Sequence, residues 1–122
     1  MKISETVNVL GTVYKIAIKK YKDDDAFERR SIDGYCDNML NEIVCCDMTT
    51  YKGWEHEAAE YCENSMMQTL RHEIVHAFLF QSGLDQCSGK YEYGWAINEE
   101  MIDWIANQGE KIYLAWKEAG AI

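Results

Sequence analysis

The stretch Met66-Met67-Gln68-Thr69-Leu70-Arg71-His72-Glu73-Ile74-Val75-His76-Ala77-Phe78 carries two signals at once. Met67, Leu70, Ile74 and Phe78 recur at three-or-four spacing, the pattern of a helix with one apolar face. Within it, His72-Glu73-Ile74-Val75-His76 spells HExxH. The helical reading extends in both directions. From Trp54 to about Gln81 the chain has no glycine and is rich in Glu, Ala, Met and Leu, until Ser82-Gly83 stops the pattern. One long helix is expected there, with a break near Glu63-Asn64 left open.

Downstream, Asp85 to Tyr93 mixes glycine, serine and charge and reads as a loop. Helical spacing resumes from Trp95 to Lys117 through Ile97, Met101, Ile105, Ile112 and Trp116, with Gly109 expected to kink or split the helix. Trp95, Trp104 and Trp116 read as core anchors of that helix. Upstream, Val7 and Val9, then Tyr14, Ile16 and Ile18, alternate with polar residues around Leu10-Gly11-Thr12, which predicts a β-hairpin. Asp23 to Arg30 opens with three acids and closes with two arginines, as a short helix favours. After Asp33-Gly34, residues 35–41 have turn chemistry, and Glu42 to Asp47 read as a strand. No proline or glycine-serine linker marks a boundary, so residues 1–122 form one α+β domain.

The chain has 122 residues, enough for one core and not for a second domain. Twelve basic against twenty-one acidic residues give a net charge of −9, the wrong sign for a nucleic-acid or anionic-membrane partner. The acidity concentrates in residues 21–63, where a solvated face explains it. With no export signal and no apolar span, the expected location is cytoplasmic. The five cysteines, Cys36, Cys45, Cys46, Cys62 and Cys87, are odd in number and include an adjacent pair, so they read as reduced thiols. They contain no C-x-x-C pair, although Cys45, Cys46 and His56 could meet in space around a metal.

The HExxH run carries a sharper chemistry. Four residues advance about 400° around a helix, so both imidazoles leave one face, a single turn apart. One ion at about 2.0–2.1 Å from each nitrogen is then within reach. A catalytic zinc keeps three protein ligands and leaves a position for water, so another element must supply a donor. Asn98-Glu99-Glu100-Met101-Ile102-Asp103 lies on the next helix. Glu99 is the third-ligand candidate there, and Asp103, one turn on, is placed to accept a hydrogen bond from a zinc histidine. Glu100 also offers a carboxylate but points about 100° away around the helix and loses the Asp103 spacing. A structural helix that merely bears two histidines is the plainer alternative.

HExxH on one helix with N-E-x-x-x-D on the next resembles the gluzincin metallopeptidases, the thermolysin-like zinc hydrolases. The resemblance covers about Met66 to Trp104, and the size is similar to that of small single-domain zinc peptidases of phages and prophages. It implies a zincin-like fold, in which a small, twisted, mainly antiparallel sheet packs on the HExxH helix and a C-terminal glutamate-bearing helix. It implies Zn2+ held by His72, His76 and Glu99, with Glu73 as general base and Asp103 supporting the first histidine. It also gives the strand Glu42 to Asp47 the role of an edge that binds extended substrate, where the residue pattern alone fits a core strand equally well. The large gluzincins have a further domain that completes the cleft and supplies an oxyanion-stabilising histidine, and this chain is too short for one.

On this reading the cation draws the pKa of a bound water toward about 7, and Glu73 takes its proton as the water attacks a peptide carbonyl. Glu73 then returns the proton to the leaving amine. Tyr91 and Tyr93, with His56 behind them, are the candidate oxyanion donors. The expected partner is a peptide or protein substrate. The rival reading is a metal-bearing, zincin-like interaction protein that uses its acidic surface to bind a partner.

Overall fold

The computed structural model describes residues 3–85 and 94–122. Strands β1 (Thr6–Val9) and β2 (Thr12–Lys20) form the expected hairpin, with Val9 opposite Thr12. Leu10 and Gly11 between them have φ of 51° and 92°. Two successive positive values give the tight turn whose twist matches that of the flanking strands. Asn8 Oδ1 braces it by accepting the Gly11 N–H at 2.8 Å.

The expected helix over Asp23 to Arg30 is shorter. A single 3-10 turn (Tyr21–Asp23) precedes a one-turn helix, α1 (Ala26–Arg29). Asp24 is diverted from it into tertiary bonds. One oxygen accepts the Ala26 N–H at 3.0 Å, and the other accepts the Tyr35 hydroxyl at 2.6 Å.

Residues 34–37 correct the expectation of a turn over 35–41. They form strand β3 (Gly34–Asp37), and only residues 38–41 reverse the chain, with Asp37 Oδ1 accepting the N–H groups of Met39 and Leu40. Strand β4 (Glu42–Asp47) has the bounds read from sequence.

The sheet order is β1-β2-β4-β3. β1 and β2 pair antiparallel, as do β3 and β4, but β2 and β4 pair parallel, so the sheet is mixed. Its interior strand β4 is covered on both faces, which is why Ile43, Val44, Cys45 and Cys46 run together without alternation and are all buried. Ile43 and Cys45 pack with Val9, Tyr14 and Ala77, while Val44 and Cys46 pack with Phe27, Met48 and Cys62. The adjacent thiols therefore face opposite sides of the sheet, and with His56 exposed these three side chains cannot converge on a metal. Cys36, Cys45, Cys46 and Cys62 are free thiols; Cys87 lies outside the described residues.

Helix α2 (Ala59–Gln81) runs unbroken past Glu63-Asn64 and starts later than Trp54, because residues 54–58 form turns. Its end is closed by two nested bonds: Gly83 N–H donates to Phe80 O at 3.0 Å and Leu84 N–H to Leu79 O at 2.9 Å. Gly83, at φ 79°, supplies the left-handed residue this termination requires. Leu70, Ile74 and Ala77 pack beneath the sheet.

At Gly34 the edge strand rests directly on this helix. A Cβ there would meet Thr69 Cγ2 at 2.5 Å and Val44 O at 2.9 Å. Thr69 Oγ1 fastens the crossing by donating to Asp33 Oδ2 at 3.0 Å.

Helix α3 (Glu99–Glu118) continues through Gly109 without a split, and Asn98 Oδ1 caps it by accepting the Met101 N–H at 3.1 Å. It packs on α2 through Ile102 and Ala106, and Arg71 Nε donates to Ala106 O at 2.8 Å. Trp95, Trp104 and Trp116 are 82%, 55% and 55% exposed, so they are not core anchors. The sheet lies against α2, which leaves α3 only a narrow covered stripe. Among the described residues no helix is long and apolar enough to cross a membrane.

Candidate metal centre

The α2 repeat places His72 and His76 one turn apart, with Nε2 atoms 3.1 Å from each other. Glu99, the first residue of α3, closes the group from the neighbouring helix. Its Oε2 lies 3.0 Å from His72 Nε2, and its Oε1 lies 3.3 Å from His76 Nε2. Ligand bonds of about 2.0–2.1 Å in a tetrahedron put neighbouring ligand atoms about 3.3–3.4 Å apart. The donors therefore stand close to the separations that a single small cation requires. Glu100 belongs to a different, apolar groove lined by Trp95, Met101, Trp104 and Ile105.

Asp103 Oδ1 lies 2.6 Å from His72 Nδ1. A carboxylate can only accept, so Nδ1 donates in this bond, and in the neutral ring the Nε2 lone pair then faces His76 and Glu99. Burial, with a smaller contribution from the His72 charge, pushes His76 below the usual imidazole range, while Glu99 acts against the shift. The neutral ring that results is the form able to ligate a metal.

Glu73 is 7% exposed. The group His72, Glu73 and His76 has its ligand atoms within 4.8 Å of one another, close enough to hold a metal ion. Glu73 is pushed up to about 7, first by burial; the His72 charge opposes the rise, and Asp33 and Glu99 add to it. A carboxyl poised near neutrality beside two imidazoles can hold or release a proton under ordinary conditions.

Two adjoining polar clefts meet at this group. One, of about 370 Å3, is lined by Asp33, Gln68, Thr69 and Asp103 as well as His72 and Glu73. The other, of about 350 Å3, takes in Arg30, Cys36, Asn38, His76 and Glu99. The larger apolar groove on α3, about 770 Å3, contains none of the imidazoles and not Glu99, so the candidate donor group opens only to the polar pair.

The strand beside the clefts is β3, which corrects the assignment of the edge to Glu42–Asp47. β4 is interior, flanked by β2 and β3. Cys46 N–H donates to Asp33 O at 2.7 Å. By the alternation of an antiparallel pair, Gly34 and Cys36 then present their backbone groups to the free edge.

Arg30, Cys36 and Asn38 are cleft residues that the sequence did not reveal. Cys36 Sγ donates to Asn38 Oδ1 at 3.3 Å, and the Tyr14 hydroxyl donates to the same oxygen at 2.9 Å. With its oxygen engaged, Asn38 has its amide N–H groups left to donate. Burial, reinforced by Glu73 and Asp37, pushes the Cys36 thiol up to about 12, which suits a donor and not a ligand. None of the three sits in a recognisable motif; only the sheet order brings them to the imidazoles. His56 is exposed and lines neither cleft. Tyr91 and Tyr93 lie outside the described residues.

Comparison with protein-family models, with curated proteins and with solved structures finds no match for this chain.

Proposed function

We propose that this chain is a zinc-dependent metallopeptidase, with His72, His76 and Glu99 as ligands and Glu73 as general base. The observation that carries the reading is the convergence of those three donors at 3.0–3.3 Å, with Asp103 fixing the His72 ring. Two imidazoles and a carboxylate are a donor set that suits zinc and leaves a coordination position free. Zinc at this site would supply a Lewis acid that polarises a carbonyl and acidifies water.

The chain's own residues supply the rest. Glu73 takes a proton from the attacking water and delivers it to the leaving amine, so the carboxylate is regenerated with each turnover. Gly34 and Cys36 offer an extended peptide backbone hydrogen bonds along the free edge of β3, which suits a peptide or protein substrate. The Asn38 amide offers a further donor to a substrate carbonyl. Tyr91 and Tyr93 are the proposed donors to the developing oxyanion.

A second reading, a metal-bearing interaction protein, is favoured by the exposed Trp104, Tyr113, Leu114 and Trp116 on α3. Glu73→Gln separates the two. Zinc content by mass spectrometry and cleavage of an unfolded protein library are measured for both forms. An enzyme keeps its metal and loses turnover on substitution. An unaltered cleavage rate in the variant removes Glu73 from the mechanism, and a wild-type protein that binds no zinc ends the proposal.

A further inference from the structure

We propose that Arg30 makes the cleft selective for peptides carrying a carboxylate close to the bond that is cut. The inference rests on the hydrolytic reading above and adds the class of substrate.

Arg30 follows α1 and shares the 350 Å3 cleft with His72, Glu73, His76 and Glu99. No other Lys or Arg lines either polar cleft. Its guanidinium carbon lies 5.9 Å from the centroid of the Tyr35 ring on the edge strand. That ring is itself held, because its hydroxyl donates to Asp24 Oδ2 at 2.6 Å and Lys19 Nζ lies 3.5 Å from the same oxygen. Stacking on an anchored aromatic face positions a guanidinium while leaving its N–H fork available.

Among the described residues no carboxylate lies within ion-pair distance of Arg30. The contrast with its neighbour is direct: Arg29 Nε pairs with Asp25 Oδ2 at 3.4 Å. The third arginine, Arg71, is also engaged, with Nε donating to Ala106 O at 2.8 Å, so Arg30 differs from both in having no side-chain hydrogen bond or ion pair among the described residues. A planar fork with free donors matches a carboxylate through two parallel hydrogen bonds.

The other cleft points the same way. It carries Asp33 and Asp103 and no Lys or Arg, so a substrate carboxylate is repelled at that end and attracted at the Arg30 end. The charge difference across the donor group therefore also sets the direction in which a peptide lies.

The carboxylate has two sources, an acidic side chain or a free C-terminus, and the experiment has an arm for each. Matched N-acetylated hexapeptides carry Glu or Gln at one position with an amidated end, or no acidic side chain with a free or amidated end. Cleavage by the zinc-loaded full chain gives kcat/KM ratios, and fluorescence anisotropy on zinc-loaded Glu73→Gln gives affinity ratios without turnover. In at least one arm the carboxylate form is preferred about tenfold or more, as expected for a charged hydrogen-bonded pair. Arg30→Gln brings that ratio to near one, and Arg30→Lys, a point charge without the fork, leaves it intermediate. Arg29→Gln, outside the cleft, retains the full ratio. Ratios near one in both arms, or a preference that survives Arg30→Gln, overturn the proposal. If no peptide is cleaved the hydrolytic reading fails, and the anisotropy ratios still decide whether Arg30 recognises carboxylates.

Discussion

Asp103 Oδ1 sits 2.6 Å from His72 Nδ1, so the second helix both delivers Glu99 to the imidazole pair and orients one of the rings. Asp103→Asn can donate where the aspartate only accepts, and so opposes the required tautomer. Zinc affinity, read by competition with a chromophoric chelator, is expected to fall about 10–100-fold. Asp103 is half exposed, so the melting temperature of the metal-free protein should change little.

Glu73 ties the site to stability. Its folded value of about 7 lies above the ordinary 4.5. Between those values the folded chain binds more protons than the unfolded one, so the metal-free protein loses stability as pH rises through that window. Glu73→Gln removes the buried charge. In chelator, the variant should exceed wild type by at most about 3 kcal/mol above pH 7, with the gap closing below about pH 4.5. Urea titrations at both extremes measure it, and a gap independent of pH would contradict the assignment.

Gly34 is where the edge strand touches the helix that carries His72 and His76. Gly34→Ala forces a methyl group against Thr69 Cγ2 and Val44 O, and a backbone carbonyl in the sheet has little room to yield. A loss of about 1–3 kcal/mol is expected, with cleavage reduced as β3 lifts from the cleft. Thr69→Ser in the same chain keeps the hydroxyl bonded to Asp33 and removes the clashing methyl, so it should restore part of the loss.

The Tyr35 hydroxyl holds the Asp24 carboxyl below its ordinary value, against the opposing effect of burial. The stabilisation is present above the unfolded value near 3.8 and disappears as pH falls through the lower folded one. Tyr35→Phe should therefore be less stable than wild type at neutral pH, and the difference should shrink in strong acid. Acid and urea unfolding followed by circular dichroism test this.

What could be read in advance divides by the range of the interaction. HExxH and the Asn98–Asp103 run lie on helices whose period is written locally, and the hairpin has its own turn residues, so these elements are visible in the chain itself. β3 is four residues with a glycine, a cysteine and an aspartate. Its identity comes from pairing with β4 and resting on Thr69, neither of which is a local property. The three tryptophans show the same limit from the other side. Spacing reveals that α3 has an apolar face, but whether another element covers that face depends on where the sheet lies. Arg30 reads as the basic end of a short helix, and its place in the cleft follows from the crossover that carries the chain from β2 to β3.

One set of contacts that reaches the cleft at Asn38 contains no ion pair at all. Thr12 Oγ1 donates to Gln81 Oε1, Gln81 Nε2 to the Tyr14 hydroxyl, and that hydroxyl to Asn38 Oδ1, each at 2.9 Å. The hairpin, the last turn of α2 and the reversal after β3 are joined by uncharged partners only. Dissolved electrolyte weakens exposed charge pairs such as Arg29 with Asp25 but has little purchase on neutral ones. In brine, that junction keeps its shape while the acidic exterior loses its long-range field.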